Sequence, residues 1–565
     1  DRYVLYTTMQ GPHGLRRQLA QRILNIPENS LRVVCNDVGG AFGIKGRTMY
    51  REYGLVLWAA REVGRPVKWV ADRTESFLGD YHGRDHLSVA ELALDRAGNF
   101  LALRVSTFAA MGAYLSNVGP SVPASSSAMV VGTYRTPAIA VTVTGVFTNA
   151  NPTSAYRGAG RPEACYVIER VVDTAAREMG IDPAELRRRN LIAPEAMPYR
   201  LPLGGAYDSG EFARNLDQAL ATADWTGFET RRAAARAQGN LRGIGISSYV
   251  ERCAGMGDER IELHFDPSGS LSLVVGSMSN GQGHETTFAQ MVAAAFGLPI
   301  ESIRYVQGDT DKVYYGVGTG GSRTALLAGT SVMNGIEKVV AKGRRIAAHM
   351  MEAAEADVEF AAGRFTVAGT DRSVTITEVA RIAWQANRLP PGMEPGLREA
   401  GTFAPSAPTY PNGCHVCEVE IDPATGQTRI VGYTVVDDVG HVINPLLLEG
   451  QIHGGIAQGV GQALMEEVRY DPESGQLLTA SFMDYCMPRA DDLCDFSTAY
   501  HEVPCRTNPL GIKGAGEAGT IGALPAVINA VIDALWPIGV RSIDMPATPE
   551  AVWRAIRSAE VVKGQ

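Results

Sequence analysis

Positive charge is in short supply in this 565-residue chain: 52 lysines and arginines stand against 61 aspartates and glutamates, a formal net charge of −9. There is no basic footprint for nucleic acid. Cysteine is sparse and scattered, eight in all, which is not the pattern of a secreted disulfide scaffold. Cys414 and Cys417 form a CxxC without a second pair, in a stretch that alternates like a strand, and no four-cysteine pattern for an iron–sulfur cluster is present. No apolar run reads as long enough to span a bilayer; the longest, residues 527–535, holds Asn529 and Asp533, follows a proline and reads as a buried helix. A Walker-type G-x-x-x-x-G-K-[ST] is also missing. Neither membrane insertion nor nucleic-acid binding is expected. Asp1 reads as mid-domain, which leaves targeting unread; a cytoplasmic location is the working expectation.

What is present is an ordinary globular balance, 45% hydrophobic and 20% charged, with 62 glycines that cluster at turns. The length exceeds one core, so two domains are expected, 1–235 and 236–565. Two segments look like copies of one unit. "QLAQRILNIPENSLRVV" (18–34) and "FAQMVAAAFGLPIESIRYV" (288–306) each read as helix, proline turn and strand. A helix-turn-strand unit used twice and a duplicated domain fit equally well. The seam falls in the Ala/Arg-rich stretch 221–242. Before it, Asp182-Pro183-Ala184-Glu185 signals a helix start. Strands alternate with amphipathic helices throughout, an α/β or α+β architecture.

Five glycine clusters feed directly into apolar helices: "NDVGGAFGIKG", "SNGQGHETTFAQ", "GTGGSRTALLAG", "EGQIHGGIAQGVGQALMEE" and "NPLGIKGAGEAGTIGALPAV". Helix N-termini leave backbone N–H groups free for polar ligands, and glycine permits close approach. One such turn is more often a tight connection. Five together favour a large, elongated ligand with many hydrogen-bonding edges.

These turns, in this order, resemble the molybdenum hydroxylase family: the large subunits of xanthine dehydrogenase, aldehyde oxidase and aerobic carbon monoxide dehydrogenase. The resemblance is carried by "TTMQGPH" (7–13), "DVGGAFGIKG" (37–46), "AYRGAGRPE" (155–163), "NGQGHETTFAQ" (280–290), "GGSR" (320–323), "INPLLLEGQIHGGIAQGVGQAL" (443–464) and "GAGEAG" (514–519). It implies an α+β fold of two related molybdopterin-binding domains with the cofactor between them; the family's N-terminal hammerhead-type domain is expected to be absent from this sequence. It further implies molybdopterin cytosine dinucleotide carrying molybdenum with oxo, hydroxo and sulfido ligands and no metal ligand from the protein. Electrons would leave through an iron–sulfur subunit with [2Fe–2S] and an FAD subunit, possibly in a dimer of heterotrimers.

The same resemblance implies roles for individual residues. Glu517 matches the family's general base, acting on the hydroxo ligand while hydride passes to the sulfido ligand. Enclosed by glycines and apolar helix, its pKa is expected to be raised. Taken alone, Glu517 reads as a helix-start glutamate interacting with the dipole. Gln10 matches a glutamine that bonds the apical oxo group, and otherwise reads as a surface turn. Phe42 and Gly43 match a ring against substrate and a backbone N–H near the metal. Arg157, in the substrate-facing loop, would polarise a carbonyl or hold developing negative charge, or else pair at the surface with Glu163. Gly281, Gln282, Gly283, His284, Gly321, Ser322, Arg323, Gln451, Gly514 and Gly516 are expected at the pterin or nucleotide.

Two departures narrow the substrate. Where the purine hydroxylases carry a gripping glutamate this chain has Gly46, and where the carbon monoxide dehydrogenases carry a copper-bridging cysteine it has Gly158. Hydroxylation of an aldehyde or an N-heteroaromatic carbon, with water-derived oxygen, is the expected activity. The alternatives are a carbon monoxide dehydrogenase-like subunit or a non-catalytic scaffold retaining the fold. A nicotinamide-dependent dehydrogenase, resting on Gly514 to Gly519 as a Rossmann turn, lacks a preceding strand and a well-spaced acid.

Overall fold

The two repeated segments fold alike. The strand Tyr3–Thr7 leads through the helix Pro12–Gln18 to the strand Leu31–Cys35, and the two strands pair in parallel. The strand Leu271–Val275 leads through the helix His284–Phe296 to Ile303–Val306, again in parallel. Parallel pairing requires such a crossover. Each return strand is entered through a short 3₁₀ turn preceded by a proline, Pro27 or Pro299, both at φ −59°. The two units join edge to edge: Cys35 N–H donates to Gly308 O at 2.8 Å, and Arg32 pairs with Asp309 at 2.7 Å. The structure, a computed structural model, describes residues 2–46, 50–254 and 257–563.

Two four-stranded sheets organise the rest. One runs Ile303–Val306, Leu271–Val275, Glu259–Phe265, Arg398–Phe403 and packs under the long helix Thr324–Met350. Along Glu259–Phe265 burial alternates strictly, the period-2 signature of one face on a core, here Ile261, Leu263 and Phe265 against Phe288, Val332 and Val339.

The other sheet runs Phe496–Tyr500, Thr428–Asp438, Asn412–Ile421, Leu241–Val250 and is covered on both faces. Cys414 and Val416 join Phe212 and Leu216 in one cluster, whereas Cys417, Val419 and Ile421 join the helix Ala518–Leu535 in another. The CxxC cysteines therefore belong to opposite faces of one strand, and both stay buried as packing residues. The first of these clusters crosses the seam, joining Leu216 and Phe228 to Ile244 and Val416.

Every residue of Ala518–Leu535 is buried. It reaches the sheet so closely because Gly245 has no side chain; a Cβ there would lie 2.3 Å from Ala526 O. The expectation that no apolar run could span a bilayer needs correction. The segment Ala518–Ile538 is long and apolar enough by length and composition, yet it is mostly buried inside the protein. Its Asp533 is held by Arg177 at 2.5 Å, by Arg232 and by the Ile244 N–H, which explains an acid in so apolar a helix.

Candidate active site

All five glycine turns open onto one cavity of about 930 Å³. Gln10, Phe42 and Gly43 line it from the first unit, and Arg157 from the loop before the helix Arg161–Met179. Gly281, Gln282 and His284 line it from the second unit, and Gly321, Ser322 and Arg323 from the start of Thr324–Met350. Gln451 enters from the helix Pro445–Leu464, and Gly514, Gly516 and Glu517 from the turn entering Ala518–Leu535. Two expected positions stand behind the wall. Gly283 is the N-cap of His284–Phe296 and packs toward Leu447. Gly158 adopts φ +100°, and a Cβ there would lie 2.3 Å from Pro162 Cγ.

Glu517 sits at the N-cap of its helix with its side chain 14% exposed. Oε1 accepts the Gly158 N–H at 2.7 Å, and Oε2 meets Arg161 Nη2 at 2.8 Å and Ser322 Oγ at 3.0 Å. Burial pulls its pKa upward, but the Arg161 guanidinium and the hydrogen bonds from Gly158 and Ser322 outweigh burial, and the net direction is down. The expected rise is thus reversed: the local sequence shows glycines and apolar helix, while the arginine arrives from another element. Arg161 itself is buried, with Nη1 donating to Ala159 O at 2.9 Å.

Arg157 is buried as well and does not pair with Glu163, which accepts the Gly160 N–H and a contact from Arg84. Its Nε donates to Gly516 O at 2.7 Å, Nη2 to Gln451 O at 2.9 Å and Nη1 to Gln458 Oε1 at 3.1 Å. It thereby ties the glutamate turn to the neighbouring helix and keeps two of its five N–H groups for a ligand. Its Cζ stands 5.5 Å from the centroid of the Phe42 ring, a cation–π arrangement. Phe42 is 48% exposed at φ +51°, and Ser322 also has positive φ, at 50°. Both are non-glycine residues in a sparsely populated region at the cavity wall.

Gln10 bridges two turns, accepting the Gly43 N–H on Oε1 at 2.9 Å and donating Nε2 to Thr319 O at 3.0 Å. The Gly43 N–H is therefore engaged by Gln10, and one Nε2 hydrogen stays available to the cavity. Burial lowers the pKa of His284 to about 4, so its ring is neutral near physiological pH. Among the described residues no group of three or more His, Cys, Asp or Glu is arranged to hold a metal ion.

Three residues that matter here carried no signal of their own in the sequence. Arg161 lies four residues after Arg157 in "AYRGAGR", and only the tertiary arrangement shows which arginine pairs with Glu517. Glu251 ends a buried strand and meets Ser322 Oγ at 2.9 Å. Lys513, fully buried, pairs with Asp438 at 2.5 Å and pins the start of the glutamate turn.

The Molybdopterin cofactor-binding domain description matches residues 1–191 and, in a second form, residues 218–494. The carbon monoxide dehydrogenase large chain of Hydrogenophaga pseudoflava is 38% identical over 571 residues, covering 98% of this chain and 70% of that one. The nicotine 6-hydroxylase large subunit of Paenarthrobacter nicotinovorans is 35% identical over 582 residues, covering 100% and 71%. The crystal structure of quinoline 2-oxidoreductase from Pseudomonas putida 86 superposes with a TM-score of 0.93 at 35% identity, covering 98% of this chain and 73% of that one. With seven motifs around one cavity, two matched cofactor-binding domains and relatives aligned along nearly its whole length, this chain belongs to the molybdenum hydroxylases, oxidoreductases of the xanthine dehydrogenase family.

Proposed function

We propose that this chain is the catalytic subunit of a hydroxylase acting on an N-heteroaromatic or aldehyde carbon, with Glu517 as the base. The observation that carries the reading is the Glu517 carboxylate, held anionic by Arg161 at 2.8 Å at the edge of the cavity. The cavity suits the cofactor: His284 Nδ1 and Asn280 Oδ1 are buried in its wall without hydrogen-bond partners among the described residues, as polar groups awaiting a ligand would be. We take the ligand to be molybdopterin cytosine dinucleotide, held by the turns at Gly281–His284, Gly321–Arg323, Gln451 and Gly514–Gly516. When bound, it supplies the two-electron acceptor and the activation of water.

The protein's own part is positioning and proton transfer. Glu517 takes up a proton at the lone pairs left free by Gly158, Arg161 and Ser322. Gln10 and Arg157, which line the same cavity, keep N–H groups that would meet oxygen atoms of a bound ligand. The exposed Phe42 ring gives a planar heterocycle a face to stack on. Relatives are named for nicotine and quinoline, which supports reading N-heteroaromatics ahead of aldehydes. Gly158 supplies no thiol, and its backbone leaves no room for one, which argues against a copper–thiolate centre. Electrons would pass to iron–sulfur and FAD partner subunits, in the cytoplasm.

The test is metal and nucleotide analysis followed by turnover. Roughly stoichiometric molybdenum with releasable CMP, and hydroxylation of azaheterocycles with an artificial acceptor, are expected. Copper together with carbon monoxide oxidation would turn the reading to the carbon monoxide dehydrogenase-like alternative. Absence of both molybdenum and CMP would leave a scaffold.

A further inference from the structure

Glu251 has no place in the reading above, yet it stands directly behind the base. Its side chain is wholly buried at the end of the strand Leu241–Val250, whereas Glu517 is 14% exposed. Two carboxyl groups here meet one hydroxyl: Ser322 Oγ lies 2.9 Å from Glu251 Oε1 and 3.0 Å from Glu517 Oε2. A hydroxyl has a single hydrogen and cannot donate to both. Among the described residues one cation touches the pair, and it favours Glu517; Arg161 Nη2 is 2.8 Å from Glu517 and 3.5 Å from Glu251. Two ionised carboxylates in this arrangement would leave one short oxygen–oxygen contact without a proton.

We infer that Glu251 is a positioning residue that shares a single proton with Glu517. Glu251 donates it to Ser322 Oγ, and Ser322 donates its own hydrogen to Glu517 Oε2, which leaves Glu517 the anion. The catalytic part of this rests on the reading of Glu517 as the base. Among the described residues, the other groups that act on Glu251 do not supply the missing charge. Cys253 and Tyr249 are pushed up by burial and stay neutral, and Arg157 is directed at Gly516, Gln451 and Gln458. Burial and the Glu517 charge push Glu251 up to about 8. The pair therefore carries one proton at neutral pH and loses it on the alkaline side, where two anions beside one arginine would displace Glu517.

The experiment is an infrared pH titration of the purified holoenzyme in light and heavy water, run alongside the pH dependence of kcat. Beside the bands of the buried Asp437 and Glu259 carboxyls, both pushed up by burial to about 7, wild type is expected to show one further carboxylic-acid C=O band, missing from Glu251→Gln and bleached as pH rises past about 8. In Glu517→Gln the midpoint of that band should move down by at least about one pH unit, because the neighbouring anion is gone. Wild-type kcat should fall by up to about tenfold per pH unit above the midpoint, and this alkaline limb should disappear in Glu251→Gln with molybdenum content unchanged. Identical band sets in wild type and Glu251→Gln, or a midpoint of the Glu251 band indifferent to Glu517→Gln, would overturn the shared proton. A protein without molybdenum would overturn the proposed function instead, and the infrared bands would still decide the pairing.

Discussion

Replacing Arg161 with methionine removes the one cation that, among the described residues, pairs with Glu517, and leaves the carboxylate in place. The guanidinium lies 2.8 Å from Glu517 Oε2, and both groups are nearly enclosed. Two unit charges about 4 Å apart at an effective dielectric near 20 interact by about 4 kcal/mol. The Gly158 and Ser322 hydrogen bonds survive the substitution, so about 2 kcal/mol is the better expectation, or about 1.5 pH units. The sign follows from the folded-state direction. Glu517 is held below its ordinary value, so its pairing stabilises the protein at neutral pH, and that stability is lost as pH falls through the folded pKa. In the variant the carboxyl titrates higher. The acidic limb of the kcat profile should move up by about 1.5 units, and activity should recover partly as pH rises. Rates are compared per molybdenum bound, which separates lost protonation control from lost cofactor. An acidic limb that stays in place with full molybdenum loading would refute the assignment of Arg161 as the group that keeps Glu517 ionised.

Two further substitutions probe the scaffold around the site. Gly158→Ala forces a side chain onto backbone at φ +100° with its Cβ 2.3 Å from Pro162 Cγ. It should cost at least about 2 kcal/mol in thermal or denaturant unfolding and disturb the N–H bond to Glu517, so unchanged stability would contradict the geometry. Lys513→Met strands the fully buried Asp438, which keeps bonds from Asn412 and the Gly440 N–H. A loss of about 3 kcal/mol is expected, and pairing it with Asp438→Asn should recover part of the loss in the same denaturant assay.

Much of the site was legible because its signal is local. A glycine cluster running into an apolar helix is visible in a few consecutive letters, and each of the five such turns does face the cavity. The helix-turn-strand repeat was legible for the same reason, since proline and helix boundaries are written in short windows, whereas the strand leading into each copy came from the structure. The Cys414–Cys417 pair read correctly as strand, because alternation is a property of neighbours. The direction of the Glu517 pKa was misread, since the segment around it contains no cation within its own turn. Its counter-ion lies more than three hundred residues earlier, at the first residue of the helix Arg161–Met179. The apolar span was also underestimated, because Pro525 lies inside the helix Ala518–Leu535 without ending it.

What the sequence determined by itself is the set of chemically competent turns: one acid among glycines, an aromatic where helix formation gains nothing from it, and helix starts ready for a polar ligand. Local rules of backbone freedom and helix termini suffice for that. Only the tertiary structure decided which charges meet. Whether Arg157 or Arg161 reaches Glu517, and whether a second carboxyl stands behind it, depends on how the strand Leu241–Val250 and the helices Arg161–Met179 and Ala518–Leu535 pack together. Coulomb interactions and shared hydrogen bonds act through space, and the spacing of residues along the chain does not encode those distances.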